Sequence, residues 1–292
     1  MSTKAAAAKR SAWRWLTIPM AFVSLLAAAD LLYLLWLWPD WQALAVGPVP
    51  KSRIMEAYEA RQAAEPTLPK LRFQAIPGAQ IPQALKRAVV VAEDASFYQH
   101  HGIDFEAIGE ALEYNRAKGR VVVGASTLSQ QTVKNLFLNA ERSYLRKWHE
   151  LLLTWGMEEH LSKDRILTLY LNIAQFGEGI FGVEAAAKAY FGTHTETLTL
   201  DQCVALAAAL PSPVKNNPAT GTDWFRKRKN KIYAFMEERE WAPAAAGAEA
   251  EATEPVAAVA EPPAADVNTP SEAIQTAPET LASDPEEEPK TE

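Results

Sequence analysis

Residues 15–38 are apolar throughout except for Asp30. A run of that length matches the roughly 20 residues that an α-helix needs to cross a bilayer. One N-terminal spanning helix is therefore expected, and the rest of the chain must fold on one side of it. Lys4, Lys9, Arg10 and Arg14 precede the run. The positive-inside rule puts 1–14 in the cytoplasm and everything after 38 outside. Trp13, Trp15, Trp36, Trp38 and Trp41 cluster at its two ends, as interfacial aromatics do. Asp30 costs roughly 2.5–3.5 kcal/mol in a bilayer, so it must meet a partner helix or be protonated. Ala27-Ala28-Ala29 resembles a signal-peptide cleavage site. The hydrophobic stretch continues through 31–38, so an uncleaved anchor is expected; either outcome exports the body.

Charge divides the remainder. The formal net charge of −7 conceals a tail, 242–292, with twelve Asp or Glu against one Lys, and a body that is mildly basic at +4. A basic body suits phosphates or a membrane surface but is too weakly charged to argue for nucleic acid. The tail has no Phe, Trp or Tyr and is expected to be disordered. Residues 39–82 are punctuated by Pro48, Pro50, Pro66, Pro69, Pro77 and Pro82. They read as a stalk, interrupted by a short amphipathic helix at 51–64. Residues 83–241 form the folded body.

Helical periodicity dominates that body. Ile81, Leu85, Ala88, Val89 and Ala92 recur at three- and four-residue spacing, as do Leu145, Trp148, Leu152 and Trp155, and Ile166, Leu169, Tyr170 and Ile173. Residues 198–210 are apolar almost all round and predict a central buried helix. No clear hairpin signal appears, although 120–123 could form a short strand. The expected fold is all-α with a single core. The lone Cys203 excludes an intramolecular disulfide and reads as a small core residue.

Three clusters carry chemistry. In the first, 93–104, Glu93 ends an apolar helix, and burial beside apolar walls raises a carboxylate's proton affinity toward that of a general base or acid. On a continuing helix Phe97 and His100 would share its face, while Asp104 suits the N-cap of the next helix. The second begins at Gly124. Ser126 or Thr127 caps a helix on which Thr127, Gln130, Gln131 and Lys134 fall on one stripe. Uncharged donors beside one cation suit sugar hydroxyls and a phosphate; a plain polar surface is the bland alternative. The third is Arg142, Arg146, Lys147 and Glu150. It reads either as a surface ion pair worth under about 1 kcal/mol or as a cationic diphosphate site with a second carboxylate beside it. Lys163 and Arg165 add positive charge. The glycine-punctuated stretch 176–186 follows a helix rather than a strand, so it is read as a tight turn and close packing, not as a dinucleotide site.

Together these clusters resemble the family 51 glycosyltransferases, the peptidoglycan glycosyltransferase domain. The matching stretches are EDASFYQHHGID, GASTLSQQTVKNLFL, RSYLRKWHE, KDRILTLYLN and GVEAAAKAYFG, in the family's order, over about 88–218. The likeness is strongest to the monofunctional biosynthetic transglycosylases. Thr168 stands where many bifunctional relatives have Glu. No KTG motif occurs, so transpeptidase activity is not expected.

The resemblance implies a lysozyme-like helical fold in the inner membrane, with the catalytic domain in the periplasm. It implies lipid II and the growing glycan chain as substrates, and inversion to β-1,4 linkages with release of undecaprenyl diphosphate. Glu93 is implied as general base and Glu150 as second acid, acting directly or through a divalent cation such as Mg or Mn; no cofactor is obligatory. Lys134, Arg146 and Lys147 are implied to stabilise the diphosphate. Asp94, Phe97, His100, Gly124, Ser126, Thr127, Gln130, Gln131, Asn135 and Lys163 line or brace the cleft. Other cell-wall synthesis or division proteins are candidate partners. A cell-wall hydrolase of similar fold and a non-catalytic anchored scaffold are the alternatives.

Overall fold

The computed structural model describes residues 3–121, 124–139, 141 and 143–238, with side chains from Thr17 to Glu237. The chain divides into two compact units, Met1–Asp40 and Trp41–Glu292. The first is helix α1, Thr3–Leu37, with Pro19 inside it. From Thr17 onward it is long and apolar enough to cross a membrane. The acidic tail, 242–292, lies outside the described residues.

The second unit is mainly helical. In chain order it contains α2 (Trp41–Val46), α3 (Arg53–Ala64), β1 (Arg72–Phe73), α4 (Gln83–Glu93), α5 (Phe105–Lys118), α6 (Leu128–Phe137) and α7 (Tyr144–His160). There follow α8 (Lys163–Ile173), β2 (Gln175–Gly177), β3 (Ile180–Phe181), α9 (Val183–Phe191), α10 (Leu200–Ala209) and α11 (Asp223–Glu238). The core forms where α10 packs on α4 and α11, and where α6 packs on α7 and α8. Leu85, Ala88 and Val89 of α4 are fully buried, as are Val204, Leu206 and three alanines of α10. Alanine on α10 lets the neighbouring backbones approach, while each large apolar side chain buried contributes about 1.5–3 kcal/mol. Cys203 belongs to this core, and burial pushes its thiol up to about 11.

The segment read as a stalk is packed into the second unit. Trp41 is buried, edge-on to Phe137 at 5.8 Å and stacked on His160 at 6.2 Å. Arg165 Nε donates to the Leu44 carbonyl at 2.9 Å. Met55 is fully buried, and the Tyr58 hydroxyl donates to the Pro69 carbonyl at 2.7 Å. Prolines in 39–82 therefore mark turns between docked pieces rather than a free spacer.

A small sheet, ordered β1-β3-β2, is the one departure from helix among the described residues. Arg120 and Val121 are not strand, and Val122 and Val123 lie outside the described residues. The strands occur instead at the glycine-punctuated stretch. Gly179 turns the β2–β3 hairpin at φ +70°. Gly182 has φ +81°, and a Cβ there would run into the Asn172 carbonyl. Asn172 is itself fixed, accepting from Ile76 N at 2.8 Å and donating to Ile76 O at 3.0 Å.

Behind the sheet, Glu184 staples the turn after α9. Its carboxylate accepts from Thr195 N at 2.9 Å, Thr195 Oγ1 at 2.8 Å and His194 Nδ1 at 2.7 Å. Burial pushes this carboxyl up, but the bonds from Thr195, His194 and Lys188 outweigh burial and hold it below its usual range. Such a group stabilises the fold above its unfolded pKa, and the stabilisation is lost as pH falls through the folded value. Glu184→Gln is expected to cost about 1–3 kcal/mol near neutral pH, with the deficit shrinking at acid pH; denaturant melts of both proteins across pH check it.

Candidate active site

Helix α4 stops at Glu93 because Asp94 leaves helical geometry, with φ −161° and ψ 77°. Phe97 and His100 therefore do not continue the face of Glu93. Asp94 instead braces the turn: its carboxylate accepts from Leu128 N at 2.8 Å, at the start of α6, and lies 3.0 Å from His100 Nε2. Phe97 is fully buried beneath Lys163, whose Nζ sits 4.6 Å from the ring centroid. Asp104 caps α5, accepting from Ala107 N at 2.8 Å.

The loop 124–127 feeds α6. Thr127 is the N-cap and forms a capping box with Gln130, and its hydroxyl donates to Gly102 O at 2.6 Å. The stripe expected on α6 thus splits. Thr127 and Gln130 are spent on each other and hold the helix start, while Gln131 bonds to Glu93 and Lys134, further along the helix, feels the charges of both Glu93 and Glu150. Gly124 is half-buried and Ser126 exposed. Ser126, Gln130 and Lys147 share a groove of about 460 Å³ with Ile103, Phe105 and Leu151, a size suited to a small ligand. Asn135 lies half-buried next to Lys134 on α6.

Glu93 is held from both sides. Its Oε2 accepts from Gln131 Nε2 at 3.2 Å, and its Oε1 from Arg228 at 2.9 Å. The Tyr170 hydroxyl donates to Gln131 Oε1 at 3.2 Å, which turns the amide so that its NH₂ points at Glu93. Burial raises the proton affinity of Glu93, and the Arg228 charge with the bonds from Gln131 and Arg228 only partly opposes it.

Glu150, on α7, is 3% exposed. Arg146 Nη1 meets its Oε2 at 2.6 Å and Lys147 Nζ its Oε1 at 2.5 Å. Ser143 starts the helix by accepting from Arg146 N at 3.1 Å. Arg142 lies outside the described residues. Lys134 ties the two halves together. Burial lowers its proton affinity and Arg146 and Lys147 lower it further, while Glu150 and Glu93 both raise it; the net direction is down. One ammonium therefore interacts with both carboxylates.

A family model described as Transglycosylase matches residues 62–237. A biosynthetic peptidoglycan transglycosylase of Thiobacillus denitrificans is 40% identical over 230 residues, 78% of this chain and 97% of the relative. One from Ralstonia nicotianae is 51% identical over 138 residues, 47% of this chain and 59% of the relative. One from Bordetella pertussis is 40% identical over 203 residues, 68% and 84% of the two chains. The chain belongs to the transglycosylase family. Its family domain begins inside α3 and ends inside α11, so the docked segment after α3 and the last helix are part of it.

Two residues of this transglycosylase site escaped the sequence reading. Tyr170 was read as one more apolar position of α8. Arg228 lay unremarked in the basic run 226–231. Its signal is position: it falls three residues after Phe225 and four before Ile232, on the buried stripe of α11. A buried guanidinium requires an acceptor, and Glu93 is that acceptor.

Lys163 is not directed to the carboxylates. It pairs at 2.7 Å with Glu158, which also accepts from Ser129, so it joins α6, α7 and α8. A dication takes oxygen ligands, yet both oxygens of Glu150 already face cations; this donor set does not fit the divalent cation that was one of two alternatives there. Asp94, His100 and Asp104 could converge on an ion, but each is engaged in the bonds above. Lys163→Met, which leaves Glu158 buried and unpaired, is expected to cost about 3–5 kcal/mol of stability and to leave KM unchanged; melting and steady-state kinetics check it.

Proposed function

We propose that the protein polymerises lipid II into β-1,4-linked glycan strands, anchored in the inner membrane by α1 with its family domain on the periplasmic side. The family membership and the curated names of its relatives support glycan polymerisation. The observation that carries the chemistry is a pair of buried carboxylates, Glu93 bonded to Gln131 and Arg228 and Glu150 flanked by Arg146 and Lys147, with the Lys134 ammonium feeling both charges.

Glu93 takes the proton from the acceptor sugar's 4-hydroxyl. That oxygen attacks the anomeric carbon of the growing chain, a new C–O bond forms on the opposite face, and the bond to the lipid diphosphate breaks. The α-linkage becomes β, and undecaprenyl diphosphate departs carrying its electron pair. A base needs a carboxylate with a raised proton affinity, which the burial of Glu93 provides. A diphosphate leaving group needs cations rather than a proton. Lys134, Arg146 and Lys147 supply them, and Glu150 holds Arg146 and Lys147 in place. No step is routed through a metal. A hydrolase would depend on a carboxylic acid to protonate a sugar oxygen, and three clustered cations do not serve that reaction. Anchoring also suits substrates tethered by lipid tails, since a shared surface raises effective concentration.

Labelled lipid II in detergent is expected to give long glycan with the wild type and, with Lys134→Met, a rate lower by about 100-fold or more, the scale of losing one preorganised charge contact. Purified sacculi are expected to release no soluble fragments. Fragments from sacculi without polymer from lipid II would contradict the reading.

A further inference from the structure

Arg228 comes from the last helix of the family domain, 135 residues away from Glu93 in sequence, yet the two meet at 2.9 Å. Both side chains are buried, at 3% and 7% exposure. The same guanidinium group donates to the Ala92 carbonyl at 3.1 Å. It therefore fixes the last turn of α4 and the carboxylate that ends it, a cation at a helix C-terminus where it is favoured. Arg228 is too buried to reach a substrate.

The groups facing Glu93 are few. Arg228 approaches from α11, Lys134 from α6 and Tyr170 from α8, with Asp94 next in the chain. Helix α10, also packed on α4, carries Asp201 as its one charged residue, and Asp201 is paired with Lys229 at 2.7 Å. Of the two cations, Arg228 is the one hydrogen-bonded to Glu93; Lys134 is shared with Glu150 and must also serve the leaving group.

We propose that Arg228 is a positioning residue for the base: its guanidinium keeps the buried Glu93 carboxylate ionised and aimed, so that α11 sets the lowest pH at which the enzyme works. This rests on the reading of Glu93 as base. Burial alone drives a carboxylate toward its neutral, catalytically idle form. The arginine opposes this without occupying Oε2, and the Tyr170–Gln131 chain aims that oxygen. When Glu93 accepts the acceptor's proton the pair is briefly cation and neutral acid, and returning the proton to solvent restores it.

The test is the pH dependence of kcat/KM for lipid II polymerisation by the full chain, comparing wild type, Arg228→Met and Arg228→Lys. The acid limb of such a profile reports the base of the unliganded enzyme. In Arg228→Met it should move to higher pH by about 1–3 units, the range expected for losing a neighbouring opposite charge. Below the limb that is a loss of about 10- to 1000-fold, recovered at alkaline pH. Arg228→Lys keeps the charge but not the fork, so its limb should lie between the other two; it decides alone if the methionine variant does not fold. A loss equal at every pH in the folded variants would mean that Arg228 only supports the fold, and would overturn the proposal. If the wild type polymerises, that failure leaves the function untouched. A wild type that makes no polymer would overturn both.

Discussion

The carboxylate of Glu93 sits where burial and charge oppose each other, and the arrangement of the domain follows from resolving that conflict. An isolated ionised carboxylate in an apolar interior is strongly disfavoured. Here α4 delivers Glu93 from the core, α6 brings Gln131, α8 brings Tyr170 and α11 brings Arg228. Four helices remote in sequence must close on one side chain. That demand accounts for α10, whose small residues let α4 and α11 approach it. It also accounts for a family domain that reaches to residue 237.

The second carboxylate is handled differently. Glu150 is satisfied within its own helix, by cations one turn earlier. Its environment depends on local sequence, whereas that of Glu93 depends on tertiary closure. Lys134 joins the two, and its lowered proton affinity reflects burial among cations as well as anions. On the proposed function, an ammonium so buried gains from a diphosphate arriving nearby. The braces around it, Asp94 on Leu128 N and Thr127 on Gly102 O, fix α6 against the turn after α4. On the proposed function, many residues grouped as a cleft lining are therefore supports for a smaller set that faces the reaction.

How much of this was legible in the sequence depends on range. Local rules served well: the long apolar helix, the Asp104 cap, the capping residue at Thr127, the i,i+3 and i,i+4 pairs onto Glu150 and the buried α10 all follow from spacing within a turn or two. The helix end at Glu93 was legible, but the way Asp94 turns Phe97 and His100 off its face was not, because the Asp94 dihedrals serve a tertiary bond to Leu128 rather than a local preference. The hairpin at 175–181 was too short to show alternation. Proline spacing suggested a stalk where Trp41, Met55 and Tyr58 are docked, since proline marks a change of direction and not a lack of packing. Arg228 was hidden in a basic run that reads as solvated surface. Only its register with Phe225 and Ile232 marked it as buried, and only the fold supplied its partner.

The most direct measurement is polymerisation of labelled lipid II by the wild type and by Glu93→Gln, with both shown to be folded by their melting curves. Glutamine keeps the size and one acceptor oxygen but cannot take a proton. The account predicts long glycan from the wild type and near-total loss in the variant, without recovery at high pH. Polymer made by Glu93→Gln at a rate near that of the wild type would contradict it.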